Sequence, residues 1–97
     1  MTTKSLADYD RAIQLNPNNA IAYYNRGNAK YALGRNQEAI ADYDRASQRD
    51  SNNANAYNNR GKAKYALGKN QEAIADYDRA IKEWKINKVT NGRIVYV

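Results

Sequence analysis

The stretch Asn36-Gln37-Glu38-Ala39-Ile40-Ala41-Asp42-Tyr43-Asp44-Arg45-Ala46 returns unchanged as Asn70 to Ala80. Outward from it, residues 20–53 and 54–87 align without gaps at an offset of 34, and 24 of the 34 positions are identical. Tyr31-Ala32-Leu33-Gly34 recurs as Tyr65-Ala66-Leu67-Gly68, and Ala7-Asp8-Tyr9-Asp10-Arg11-Ala12 is the same kind of block one period upstream. The chain therefore divides into half a repeat (5–19), two full repeats (20–53 and 54–87) and a tail (88–97). A fixed period of this size marks an array whose units bury their apolar faces only against their neighbours.

Each unit reads as two helices. Asn18-Asn19 and Asn52-Asn53 precede helical stretches, where an Asn side chain can accept from a free N–H of the first turn. Gly34 and Gly68 follow Leu33 and Leu67, the place for a left-handed helix stop. Asn36 and Asn70 are expected to cap the second helix, with Glu38 and Glu72 in its first turn. Ile40, Tyr43 and Ser47, then Ile74, Tyr77 and Ile81, are spaced three and four apart and give one stripe per helix. Pro17 should end the first helix, about Ser5 to Leu15.

Composition agrees with thin, well-solvated layers. The chain has 97 residues, 27% of them charged and 42% hydrophobic, with a mean hydropathy of −0.99. That leaves room for one domain with a shallow core. With no Cys and no His, disulfides, thiolate metal sites and histidine-based catalysis are excluded. Ser5, Ser47 and Ser51 have no base to activate them. Asp42 with Asp44, and Asp76 with Asp78, point in different directions on a helix and cannot share a proton. Gly27-Asn28-Ala29-Lys30 lacks the second Gly of a phosphate loop. No apolar run approaches the roughly 20 residues of a membrane span, and the first residues lack the apolar core of a signal peptide. The expectation is a non-enzymatic cytoplasmic protein with no catalytic residues, cofactor, metal, small-molecule substrate or membrane partner.

The net charge of +6 is uneven. Residues 1–53 carry seven Lys/Arg against six Asp/Glu, and residues 54–97 carry nine against four. Nucleic-acid contact through this basic second half is the remotest of the functional readings.

A 34-residue period of two helices resembles the tetratricopeptide repeat family over residues 5–84. The matching positions are Tyr23 and Tyr57, Gly27 and Gly61, Ala39 and Ala73, Tyr9, Tyr43 and Tyr77, and Ala12, Ala46 and Ala80. The resemblance implies an all-α, right-handed superhelical solenoid of antiparallel helix pairs, about five helices in all. Three departures stand out. Arg26 and Arg60 replace the usual Leu, Lys30 and Lys64 replace the usual Tyr, and the Pro kept at Pro17 becomes Ser51 and then Lys85. Arg26 is expected to pair with Asp42 or Asp44, and Arg60 with Asp76 or Asp78, while Lys30 and Lys64 extend to water. Loss of the Pro lets the helix from Gln71 run past Trp84.

In that family the first helix of each unit lines a concave groove for an extended peptide or a helix of another protein. Carried over by position, the groove residues are Ile21, Tyr24, Asn25, Asn28, Tyr31 and Ala32, then Asn55, Asn58, Asn59, Lys62, Tyr65 and Ala66. Asn suits a peptide backbone, and Tyr supplies flat area at little entropic cost. Some members grip an acidic chaperone C-terminus. Asn28 and Asn59 match that pattern, but Tyr24 stands in place of its Lys, so the specificity is not carried over. The second reading is self-association into a homo-oligomer through uncapped ends, with Leu6, Tyr9 and Ile13 at one and Ile74, Tyr77, Ile81 and Trp84 at the other. The tail is expected to be disordered or a hairpin, with Thr90-Asn91-Gly92-Arg93 turning between Ile86, Val89 and Ile94 to Val97.

Overall fold

The computed structural model describes residues 5–90, with side chains through residue 87. Within them lie five helices and no strand: α1 Leu6–Leu15, α2 Ala20–Ala32, α3 Asn36–Arg49, α4 Ala54–Ala66 and α5 Asn70–Thr90.

The helix ends follow from local chemistry. The Ser5 hydroxyl accepts from the Asp8 N–H, and the Asp8 carboxylate accepts from the Ser5 N–H in return, a reciprocal capping pair. Asn19 and Asn53 each accept from an N–H three residues on, Ala22 and Ala56, at 3.1 Å. The α2 and α4 ends close alike. Gly34 and Gly68 take φ of 78° and 79°, and the next N–H, of Arg35 or Lys69, reaches back to the carbonyl of Lys30 or Lys64 at 2.9 Å. That six-to-one bond needs a left-handed residue at the stop, where Gly has no Cβ to clash.

Three boundaries differ from the sequence expectation. Asn36 and Asn70 are the first residues of α3 and α5 and not their caps; at α3, Arg35 occupies the cap position and its side chain makes no capping bond. The six-to-one closure at Arg35 leaves no spare residue, so one short link serves both helices. At the other end α5 continues through Ile86 and Val89 to Thr90, so these residues are helical and not a strand. With Lys85 where the first unit has Pro17, nothing removes an N–H or fixes a φ that would break the helix. Residues 91–97 of the expected tail lie outside the described residues.

Consecutive helices pack on one another, α1 on α2, α2 on α3, α3 on α4 and α4 on α5. Among the described residues the one further helix contact joins α2 to α4, and none joins α1 to α3 or α3 to α5. The first helices of the units therefore stand closer together than the second ones, which places α2 and α4 on the inner side of a curved array. Ala39, Tyr43 and Ala63 form the buried centre, with Tyr24 and Ile40 against it. Small residues admit the aromatics: a Cβ on Gly27 would lie 2.7 Å from the Tyr43 ring, and on Gly61 2.8 Å from that of Tyr77.

Candidate functional site

The inner surface is built from α2 and α4, and their side chains are tied across the unit boundary. The Asn59 amide donates to the Asn28 side-chain oxygen at 2.9 Å and to the Tyr24 hydroxyl at 3.2 Å. The Tyr43 hydroxyl donates to the same Asn28 oxygen at 2.6 Å. Tyr24 leans on Tyr43 with ring centroids 6.2 Å apart. Asn28 thus uses its oxygen twice and keeps its two N–H donors, while Asn59 uses both donors and keeps its oxygen. Burial pushes the Tyr43 hydroxyl well above the usual tyrosine range, helped by Tyr24, Tyr31 and Asp42.

Around this network the expected groove residues fall at different depths. Asn25 and Asn58 are half-buried, and Asn55, Lys62, Ala32 and Ala66 are exposed. Ile21 and Tyr65 are about two-thirds exposed, and Tyr31 less so. Tyr24, Asn28 and Asn59 serve the α2–α4 junction as well as the surface. No local pattern marks this joint, because Asn59 and Asn28 are 31 residues apart and belong to different units.

Beneath the groove runs a repeated ion-pair frame. The Arg26 guanidinium donates twice to Asp42, at 2.7 and 2.9 Å, and to Asp10 on α1 at 2.9 Å. Arg60 repeats the pattern with Asp76 at 2.6 and 2.9 Å and with Asp44 on α3 at 2.8 Å. Hydrogen bonds to Asp42 and Asp76 raise the pKa values of Arg26 and Arg60 against the opposing cost of burial. Asp42 is the partner of Arg26, and Asp76 that of Arg60. Asp44 instead reaches forward to the next unit. Lys30 and Lys64 correct the expectation that they extend to water: their ammonium groups close on Asp42 at 3.0 Å and Asp76 at 3.1 Å. Asp42 is almost fully enclosed, and a carboxylate so placed is stable only with cations at hand.

Two Tyr rings complete the frame. Arg26 and Arg49 lie 5.7 and 4.6 Å from the Tyr23 ring centroid, and Arg60 and Arg79 lie 5.4 and 4.9 Å from that of Tyr57. Position 83 holds Glu where the preceding unit has Arg49, so Arg79 takes over the stacking role and pairs with Glu83 at 2.9 Å. These stacks do not follow from any single helix pattern, although Tyr23 with Arg26 recurs as Tyr57 with Arg60.

Of the residues expected to self-associate, Leu6, Tyr9 and Ile13 on α1 are half-buried. On α5, Ile74, Ile81 and Trp84 are 58%, 54% and 42% exposed, whereas Tyr77 is half-buried. Among the described residues no group of acidic side chains is arranged to hold a metal ion, and no helix is long and apolar enough to cross a membrane.

The same architecture recurs in known proteins. A crystal structure of MamA superposes with a TM-score of 0.83 at 26% identity, over 86% of this chain and 48% of that one. The first repeat domain of Spaghetti (RPAP3), bound to the HSP90 peptide SRMEEVD, gives 0.79 at 29% identity, over 80% and 62%. The Arabidopsis OM64 repeat domain gives 0.79 at 37% identity, over 80% and 64%. The chain thus spans about half to two-thirds of the length of these relatives. None of the curated proteins compared matches the sequence. Models of the tetratricopeptide repeat match residues 2–34, 27–68 and 54–84. With its paired helices, small–aromatic packing and 34-residue period, the chain belongs to the tetratricopeptide repeat family.

Proposed function

We propose that this chain is a protein-interaction module that holds an extended segment of a partner polypeptide against the inner face of α2 and α4. The observation that carries this is the Asn28–Asn59 pair. Its internal bonds leave N–H donors on Asn28 and an acceptor on Asn59, complementary to the C=O and N–H of a peptide backbone. Tyr31, one turn beyond Asn28, and Tyr65, nearly two turns beyond Asn59, supply flat apolar area for side chains. The structures of Spaghetti (RPAP3) domains bound to the peptide SRMEEVD support peptide capture by this architecture. An acidic-terminus specificity is not carried over, because Tyr24 stands where that reading needs a Lys and is bonded to Asn59. Selection from a displayed library of short peptides tests the proposal. Enrichment of peptides that lose affinity at least tenfold on Tyr31→Ala plus Tyr65→Ala is the expected result. Peptides indifferent to that change would place binding elsewhere.

A second reading is self-association, favoured by the exposed Ile74, Ile81 and Trp84 on α5. α1 and α5 are both second helices of their units. Stacking them directly does not reproduce the α3–α4 junction, so a contact between two α5 faces is the form this reading takes. Sedimentation of the chain at micromolar concentration decides it: the mass of two chains would support this reading, and a mass of one chain overturns it.

A further inference from the structure

An open cavity of about 560 Å³ lies between α4 and α5, lined by Asn55, Asn58, Tyr77, Ile81 and Trp84, among others. One period upstream, the corresponding residues are Ile21, Tyr24, Tyr43, Ser47 and Asp50. Its central part, Tyr24, Tyr43 and Ser47, is covered by α4, while Ile21 and Asp50 at its edges stay exposed. Asn59 bonds Tyr24, Arg60 reaches Ser47 at 3.4 Å and Ala63 packs in one cluster with Tyr43. Further along, the Tyr57 hydroxyl bonds the Ser51 carbonyl at 3.0 Å. The cavity is therefore the repeat-related copy of an interface the molecule already builds, with the covering helix missing among the described residues.

The charges point the same way. Asp10 takes Arg26 and Asp44 takes Arg60, each from the following first helix, at 2.9 and 2.8 Å. Asp78 is the third member of the series, 34 residues beyond Asp44. It is exposed, and among the described residues it makes no ion pair or hydrogen bond. The two helices that fill the upstream sites share a signature, Tyr23 with Arg26 and Gly27, and Tyr57 with Arg60 and Gly61. The Tyr stacks on Arg, the Arg crosses the boundary and the Gly admits a ring.

We propose that the α4–α5 cavity docks one amphipathic helix of a partner polypeptide, presenting an aromatic residue, an arginine three positions later and a small residue next to it, with the arginine closing on Asp78. A second copy of this chain is not the occupant, because its own two helices of this signature are already engaged within its fold. The site lies beyond the Asn28–Asn59 pair, so its failure leaves the groove proposal standing.

The probe is a synthetic peptide of the α4 sequence, Asn53 to Gly68, labelled and stapled across Lys62 and Ala66. Both positions are exposed in α4, and the staple removes the cost of forming the helix. The full chain is titrated with it, reading peptide anisotropy and the emission of Trp84, the one tryptophan. Saturable binding with a change in Trp84 emission is expected. Asp78→Arg in the chain should weaken it at least tenfold, and a peptide carrying Arg60→Asp should restore it. Displacement of the chain's own α4 would depend on Asp44 and Asp76 and not on Asp78. Absence of saturable binding overturns the proposal, as does binding indifferent to Asp78. A chain that is dimeric by itself and refuses the peptide gives the surface to a second copy and overturns it equally.

Discussion

Arg60 stands between two carboxylates on different helices, Asp76 at 2.6 Å and Asp44 at 2.8 Å. One side chain therefore joins α4 to α5 within its unit and to α3 of the unit before. Lys64 adds a second cation to Asp76 at 3.1 Å. Removing different members should have different costs. Arg60→Ala leaves Asp76 with Lys64 and should cost about 1–3 kcal/mol. Asp76→Ala strands two cations and should cost more, about 3–5 kcal/mol. Urea midpoints of the two variants check the order; equal losses would show that Lys64 contributes nothing to Asp76.

Replacing Gly27 by Ala tests the packing of the first unit. In an exposed helix the change gains about 0.5–1 kcal/mol. Here the new Cβ would stand 2.7 Å from the Tyr43 ring, and overpacking of this kind costs about 1–3 kcal/mol. Net destabilisation is expected in a thermal melt, and a variant more stable than wild type would show that the ring can retreat.

Tyr43 makes the fold sensitive to alkali. Burial raises its pKa above the ordinary value of 10.0, so the folded chain holds the hydroxyl proton longer than the unfolded chain. Its contribution is complete below about pH 10 and is lost as pH rises beyond that towards the folded value. Tyr77 shifts in the same direction, also through desolvation. Tyr43→Phe should lower stability near neutrality by about 0.5–1.5 kcal/mol through the lost bond to Asn28. It should also flatten part of the alkaline decline. Denaturant midpoints between about pH 8 and pH 11 measure both effects; parallel curves for the two proteins would contradict this role.

The helix pairs, their glycine stops and the small–aromatic core were legible because they repeat, and a period of 34 shows twice what one copy would only suggest. The carboxylate bound to Arg26 was narrowed to Asp42 or Asp44, since helix spacing puts both within reach of the next helix. Only coordinates separate the one facing inward from the one facing the next unit. Lys30 was expected in water because a long side chain usually reaches it, yet the enclosed Asp42 carboxylate holds its end in place. The shared use of Asn28 by Tyr43 and Asn59 depends on how closely neighbouring units approach, which no single helix pattern encodes. The misplaced caps, at Asn36 and Asn70, followed from counting the α2–α3 and α4–α5 links a residue too long.

That joint also changes what substitution of the two Asn residues should do. Asn28→Ala with Asn59→Ala removes the acceptor of the Tyr43 hydroxyl and the bond between units. A stability loss of about 1–3 kcal/mol should therefore accompany any loss of binding. A thermal melt of the double variant that matches wild type would show these bonds to be replaced by water without cost. Tyr31 and Tyr65 make none of these bonds and are the cleaner probes of the groove.

The central claim, capture of an extended segment on the inner face, is tested most directly by mapping amide chemical shifts during titration with a peptide selected on the chain. The account predicts saturable shifts concentrated at Asn25, Asn28 and Tyr31 on α2 and at Asn59, Lys62 and Tyr65 on α4, with α3 largely unmoved. Shifts confined to the outer faces of α3 and α5, with α2 and α4 silent, would contradict it.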